Sequence, residues 1–242
     1  MVVEEAAPLT RIAALADLHV GDNDKHPYRD LFAEISREAD VMALAGDLTN
    51  LGTVRQAEIL AEDLSACSIP VVAVLGNHDH ECGCAEQVTD VLRQAGVCVL
   101  DGNSTEVAGV AFVGVKGFAG GFGRFMLGSF GEPAIKTFVS ETLNEALRLE
   151  NALRGVRPGR VLVVLHYAPI AQTVEGEPLE IYPFLGSSRL AETIERFQVS
   201  AIIHGHAHRG AFEGRTGSGI PVYNVASMIE KPGGRPYHIL EL

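Results

Sequence analysis

Short β-branched apolar runs alternate with stretches whose apolar positions recur at helical spacing through the first half of the chain. Residues 11–16, 41–45 and 71–75 read as strands. Pro27 suits the first turn of a helix whose apolar face would be Tyr28, Leu31, Phe32, Ile35 and Ala39. Further helices are expected over 54–64 and 85–94. Parallel strands need long crossovers, so this rhythm implies a largely parallel sheet with helices covering its faces. Strands are also expected over 97–100, 105–107, 110–115, 161–165, 200–203, 221–225 and 237–240, with a helix near 188–197.

Residues 116–159 break the rhythm. Gly117, Gly120, Gly121, Gly123, Gly128 and Gly131 accompany Phe118, Phe122, Phe125 and Phe130, which suggests a mobile segment carrying apolar groups. It is read first as part of the core or as a subunit contact between identical chains, and second as a lid in which Arg124 would touch a phosphate. A helix over 133–153 should close it, with Ile135, Phe138, Val139, Thr142 and Leu143 on one face. No Pro- or Ser-rich linker and no repeat divides the chain, so residues 1–242 are expected to form one domain with this segment inserted.

Composition narrows the class. With 242 residues, 47% hydrophobic and 21% charged, the chain can build a sizeable core, which excludes a disordered or disulfide-stapled protein. The formal net charge of −12 disfavours long nucleic acid and anionic lipid unless positive charge is supplied locally. The start Met-Val-Val-Glu-Glu carries acid where a signal peptide would carry Lys or Arg, and no apolar run approaches a membrane span. A cytoplasmic protein with no membrane association is expected. The four cysteines, Cys67, Cys82, Cys84 and Cys98, then read as reduced thiols, and the Cys82-x-Cys84 pair is too sparse for structural zinc.

Five apolar runs stop at potential chelators. They lead into Asp17-Leu-His19, Gly46-Asp47, Gly76-Asn77-His78-Asp79, His166, and His204-Gly-His206-Ala-His208. Ligands of open α/β sheets bind beyond the carboxyl ends of the strands, so these tips are candidates to converge. Asp, Asn and His donors suit Mn²⁺, Fe, Zn²⁺, Co²⁺ or Ni²⁺ better than Ca²⁺ or thiolate-loving ions. Seven donors exceed the needs of one tetrahedral ion, whereas a shared carboxylate, most naturally Asp47, can hold two ions as a clamp for displacement at phosphorus. Two such ions would make the cleft locally cationic within an acidic protein.

In order and composition these five blocks resemble the signature of the calcineurin-like metallophosphoesterases. The resemblance spans positions 17 to 208. It implies an α/β fold, a four-layer α/β/β/α sandwich of two mixed β-sheets flanked by helices. It implies two divalent metal ions, with Mn²⁺ favoured: Asp17, His19, Asp47 and His208 on one, Asp47, Asn77, His166 and His206 on the other. A hydroxide bridging both ions would attack phosphorus, and His78 would be the general acid rather than a ligand. Asp79 is expected to hydrogen-bond His78 and to favour its protonated form. Leu48-Thr-Asn-Leu-Gly52 stands where the protein-phosphatase branch carries an Asp-Arg-Gly extension, which argues against that branch. The activity implied is hydrolysis of small phosphate esters, by a phosphodiesterase in preference to a phosphomonoesterase.

Plainer readings stand beside these. His26, His80 and His238 are taken as surface or core histidines, with His80 close enough to His78 to reach substrate. His204 is assigned packing rather than ligation, Tyr167 and Arg189 lie near the site in sequence and are weak candidates to touch a phosphate, and the acidic loop 175–180 is read as solvated. Two rival classes remain: a metal-binding scaffold without catalysis, and a mononuclear zinc hydrolase of amide or ester bonds.

Overall fold

The computed structural model describes residues 9–23 and 25–242. Residues 1–8, on which the reading of the amino terminus rests, lie outside the described residues. The apolar stretch after them is strand β1 (Arg11–Leu15).

The expected alternation builds the first sheet. Strand β1 is followed by α1 (Arg29–Glu38), β2 (Val41–Ala45), α2 (Val54–Leu64), β3 (Val71–Val74), α3 (Ala85–Gln94) and β4 (Val97–Val99). Thr53 caps α2 by accepting the backbone N–H of Gln56 on its side chain. The second half supplies β5 (Asn103–Val107), β6 (Val110–Gly114), α4 (Pro133–Arg154), β7 (Val161–Val164), α5 (Tyr182–Leu185), α6 (Ser188–Ile194), β8 (Ala201–His204), β9 (Glu213–Arg215), β10 (Pro221–Asn224) and β11 (His238–Glu241).

Two mixed sheets result. The first has the order β11-β1-β2-β3-β4, parallel except for β11, and the second has the order β5-β6-β7-β8-β10-β9, parallel at its centre with antiparallel edges. Ile12, Ala14, Val41, Ala43, Val72 and Val74 of the first sheet pack against Val110, Phe112, Leu162, Val164 and Ile203 of the second. The opposite face of the first sheet is covered by α1, α2 and α3 through Phe32, Ile35, Leu60, Val88 and Leu92. That of the second is covered by α4 and α6 through Leu149, Leu153, Leu190 and Ile194. The architecture is therefore the expected four-layer sandwich. Strands buried on both faces read as continuous apolar runs, which is why their sequence signal was strong. Among the described residues, no helix is long and apolar enough to cross a membrane.

Two expectations need correction. The buried face of α4 is Val139, Thr142, Glu145, Ala146, Leu149, Ala152 and Leu153, while Ile135 and Leu143 are 42% and 47% exposed. Polar residues occupy the inner face because they serve backbone there: the Thr142 hydroxyl donates to the Ala119 carbonyl at 2.6 Å, and Glu145 accepts from the Gly117 N–H at 2.7 Å. Of the expected face, Val139 and Thr142 are buried and Phe138 packs against the core, whereas Ile135 and Leu143 face outwards. The segment before α4 is docked as well, through Gly120 N–H to Pro183 O at 2.8 Å and Gly121 N–H to Gly186 O at 2.9 Å. Phe118 packs on Phe138 and Tyr167, and Phe122 on Tyr182, whereas Phe125 and Phe130 remain exposed.

Leu149→Ala is expected to cost about 2–5 kcal/mol of unfolding free energy through the cavity it leaves. Leu143→Ala should cost within about 0.5 kcal/mol, as an exposed site does. Urea unfolding of the two variants compares them, and equal losses would contradict the buried face described here.

Candidate metal centre

The carboxyl ends of β1, β2 and β3 in one sheet and of β7 and β8 in the other open at the same end of the sandwich. Asp17 and His19 follow β1, Asp47 follows β2, Asn77 and His78 follow β3, His166 follows β7, and His206 and His208 follow β8. Their side chains meet. The Asp17 carboxylate lies 3.0 Å from His208 Nε2, and both its oxygens accept the His206 backbone N–H at 3.1 Å. Asp47 Oδ1 lies 3.3 Å from His166 Nε2, while Asp47 Oδ2 lies 3.9 Å from His19 Nε2 and 4.0 Å from His78 Nε2. Asn77 Oδ1 is 2.9 Å from His166 Nε2. Asp47 thus turns one oxygen towards each half of the cluster.

Three sets of side chains bring their donor atoms within 4.8 Å of one another: Asp17, His19 and His208; His19, Asp47 and His78; Asp47, His166 and His206. The donor set fits metal ions on independent grounds. Both ring nitrogens of His19 are buried and lack a hydrogen-bond partner, which is costly unless another group takes up the lone pair. The Nδ1–H of His166 donates to the Ala45 carbonyl at 3.0 Å, which aims Nε2 at Asp47 and Asn77 in the manner of an oriented ligand.

Local backbone geometry serves the same cluster. Asp17, His19, Asp47 and His206 have left-handed φ values of 60°, 47°, 49° and 69°, unusual for residues other than glycine. Gly76 has no side chain because a Cβ there would overlap the Asp47 carboxylate, and a Cβ on Gly205 would overlap that of Asp17. Gly76 and Gly205 are therefore clearance for carboxylates, and Gly46 is clearance for the His166 side chain.

Electrostatics couple the donors. Burial disfavours a charged His166, but the adjacent Asp47 carboxylate and the Ala45 carbonyl outweigh it and push the imidazole up to about 9. Burial likewise works against the Asp47 carboxylate, yet the charge and hydrogen bond of His166 and the His78 N–H hold it well below the usual range. Burial and the neighbouring His166 charge push His206 down to about 3, whereas the hydrogen bond to Asp17 raises His208. Asp47 and His166 each favour the charged form of the other, and His166 Nε2 is the atom that faces the carboxylate.

His78 lies at the exposed edge of this cluster. Its backbone N–H donates to Asp47 Oδ1 at 2.8 Å, and its Nδ1 donates to the Asn50 carbonyl at 2.7 Å, which leaves Nε2 facing the cluster. The expected hydrogen bond from Asp79 to His78 is not formed. Asp79 is fully buried and accepts from Leu48 N–H at 3.2 Å, Thr49 N–H at 2.8 Å, Thr49 Oγ1 at 2.6 Å and Gly76 N–H at 2.8 Å. It ties the loop after β2 to the loop after β3, and burial raises its carboxyl while these donors act against the rise. The orienting role expected of Asp79 is filled by the Asn50 carbonyl, which no side-chain pattern announces.

Other candidates separate from the cluster. His204 is buried with Nδ1 donating to Gly205 O and Nε2 paired to Thr173 Oγ1, both at 2.8 Å, and burial pushes it down to about 4. Arg124 lies over the Phe125 ring and Arg189 pairs with Glu192. His26 pairs with Asp63, and His238 packs on Phe212 and Tyr223. Tyr167, by contrast, borders the cluster, its ring tilted against that of His206 with centroids 4.5 Å apart and 5.5 Å from that of His166. Lys231, which the sequence did not single out, is buried with Nζ donating to Ala226 O at 2.7 Å and Ile229 O at 3.0 Å. It braces the loop whose Ser227 hydroxyl holds the Asp17 carbonyl at 2.9 Å.

The sequence matches the calcineurin-like phosphoesterase family over residues 10–210. No curated protein matches it in sequence. Among solved structures, one crystal structure superposes with a TM-score of 0.66 at 14% identity, over 96% of this chain and 95% of the other. A protein from Thermus thermophilus gives 0.54 at 16% identity over 92% and 91% of the two chains. GAP50 of Plasmodium, described as the anchor in the inner membrane complex, gives 0.57 at 15% identity over 94% and 74%. At these identities the similarity is one of fold.

Two outcomes are expected. Mn²⁺ affinity of the metal-free protein should rise with pH towards about 9, because His166 must release its proton before Nε2 can coordinate. Calorimetric titration in buffers of different ionisation heat reads that release, and uptake of protons would contradict it. Asp79→Ala should destabilise the fold by about 3 kcal/mol or more, since it strands buried donors, and thermal melts of metal-free protein would show it.

Proposed function

The chain belongs to the calcineurin-like phosphoesterase family, and on that premise we propose that it is a two-metal hydrolase of phosphoric esters that takes diesters in preference to monoesters. The family uses a dinuclear divalent metal centre and acts on small phosphate esters. The observation carrying the reading is the division of Asp47 between two half-clusters, one holding an imidazole with no other partner.

Asp17, His19, Asp47 and His208 would hold one ion, and Asp47, Asn77, His166 and His206 the other. When bound, the two ions, for which manganese is our first choice, would supply Lewis acidity for phosphoryl oxygens and for water. His78 then acts at the edge of the site. With Nδ1–H held by the Asn50 carbonyl, a proton on Nε2 is directed towards the reacting group and can pass to the departing alkoxide. Asp79 keeps the loop carrying His78 in register with that carrying Asp47, a positioning role.

The surroundings favour small substrates of low charge. Glu177 of the acidic loop accepts the Arg209 N–H at 2.7 Å, beside His208, and so brings negative charge to the rim. Long polyanions would be repelled there. Arg124 lies over the ring of its exposed neighbour Phe125 and Arg189 pairs with Glu192, so the guanidinium clamp that a doubly charged monoester would use is not assembled at the cluster by either.

Free Cys67, Cys82, Cys84 and Cys98 suit a reducing compartment, and we assign the protein to the cytoplasm, as one domain over residues 1–242. Exposed Phe125 and Phe130 suit a contact between copies of the chain. The alternative is a metal-binding scaffold, given that a Plasmodium protein of this fold is described as an anchor.

The test is hydrolysis of bis-p-nitrophenyl phosphate against p-nitrophenyl phosphate by Mn²⁺-loaded protein, with His78→Ala alongside. Turnover should favour the diester, and His78→Ala should lower kcat about 10²–10⁴-fold while metal content measured by mass spectrometry stays unchanged. Metal loss in that variant would instead make His78 a ligand. Silence towards both esters would favour the scaffold, and one tightly held zinc ion per chain would favour a mononuclear hydrolase.

A further inference from the structure

A cavity of about 390 Å³ adjoins the metal centre without containing any of its donors. Its size falls in the range of small-molecule sites, roughly 300–1,000 Å³. Neighbours of the cluster form its inner wall. Leu75 directly precedes the Gly76-Asn77 turn, and His80 donates its backbone N–H to the Asn77 carbonyl at 3.1 Å. Lys116 lies at the tip of the second sheet, where its carbonyl accepts the backbone N–H groups of His166 at 3.0 Å and Tyr167 at 3.1 Å. The cavity wall is therefore tied through the backbone to the segments that carry Asn77 and His166.

We propose that this cavity is the subsite for the organic substituent of the phosphate ester, and that it takes a flat, heteroatom-bearing group the size of a nucleoside. The inference rests on the hydrolase reading above and names its substrate class. Leu75 and Leu100 form a buried apolar floor, while the hydroxyl of Thr89, the carboxylates of Glu86, Asp90 and Asp101 and the guanidinium of Arg93 make the wall polar. A bare alkyl chain would desolvate those polar groups without pairing them, and a small polyol would leave the floor unfilled. A heterocycle with its sugar satisfies both surfaces.

Lys116 stands at the end nearest the cluster. Its Nζ donates to the Gly117 carbonyl at 2.9 Å and lies 4.9 Å and 5.3 Å from the ring centroids of Phe118 and Tyr167. An ammonium carries three donors, so others stay available for a phosphate oxygen. The outer wall is held in place: Asp101 pairs with Arg148, whose guanidinium also reaches Glu145 at 2.6 Å. Glu145 in turn holds the Gly117 N–H, next to Lys116.

The experiment compares two diesters with the same leaving group, methyl p-nitrophenyl phosphate and the p-nitrophenyl ester of thymidine 5′-monophosphate, in Mn²⁺-loaded protein. Wild type should prefer the thymidine ester by about tenfold or more in kcat/KM. Thr89→Trp, which fills the cavity, should abolish that preference while leaving the methyl ester within about twofold of wild type. Equal rates on the two esters in wild type, or a variant that slows both alike, would overturn the proposal. Equilibrium binding of thymidine 5′-monophosphate gives a readout without turnover. It should weaken about tenfold in Thr89→Trp, and unchanged binding would also overturn the proposal. If neither ester is hydrolysed and yet that binding weakens as expected, the hydrolase reading fails and the cavity assignment stands.

Discussion

A buried carboxylate shared between two clusters of imidazoles is the constraint around which this end of the sandwich is organised. Asp47 cannot keep its charge in that position unless donors surround it, and the His78 backbone N–H and the His166 ring provide them. Meeting that need demands that loops from separate strands and from both sheets approach within hydrogen-bond distance. Gly76 permits the approach from β3, because any side chain there would overlap Asp47. Asp79 then locks the loop after β2 to the loop after β3 through three hydrogen bonds, two of them from Thr49, and closes its own loop through a fourth from Gly76. Asp47, Asp79 and their donors are therefore interdependent: removing Asp79 leaves the N–H groups of Leu48, Thr49 and Gly76 unsatisfied.

The same arrangement explains how an acidic chain can attract an anion. A formal charge of −12 is a repulsive background for phosphate, and two carboxylates at the cluster add to it. Five imidazoles surround those carboxylates, and in the metal-free protein protonated His166 compensates part of their charge. Divalent ions in the same place would reverse the sign locally. The rim keeps its acidity through Glu177, so the attraction would be confined to groups small enough to enter.

Much of this was legible from residue order alone, for a physical reason. Strands buried on both faces and helices with one apolar stripe leave periodic signals, so β2, α2 and α3 were readable to their end residues. The chelating residues were legible because each interrupts such a run at its carboxyl end. What escaped depends on backbone groups and on pairings distant in sequence. The inner face of α4 carries Glu145 for the sake of the Gly117 backbone while Ile135 and Leu143 face outwards, so hydropathy misplaces that edge of the face. Strand β9 is a three-residue charged edge with no apolar pattern. Asp79 looked like a partner for His78 because it is adjacent in sequence, but adjacent residues point apart, and its true partners come some thirty positions earlier. The cavity beside the centre joins α3 and β4 to a lysine at the tip of the other sheet, a juxtaposition with no linear signature.

Backbone strain bears on whether the centre works or merely survives. Left-handed φ at Asp17, His19, Asp47 and His206 costs on the order of 1–3 kcal/mol at each position, a large sum against the marginal stability of a domain. Strain of that kind persists only where surrounding contacts over-determine it. Here those contacts are themselves polar and buried, and one of their members, His19, has no partner at either ring nitrogen. A fold kept only as a platform could relax these loops with glycine or asparagine and fill the space with apolar side chains, at a gain in stability. The retained combination of strained carboxylates, clearance glycines and an unpaired imidazole is intelligible when the missing partners are cations, and the exposed His78 beside them is intelligible when something is to be protonated.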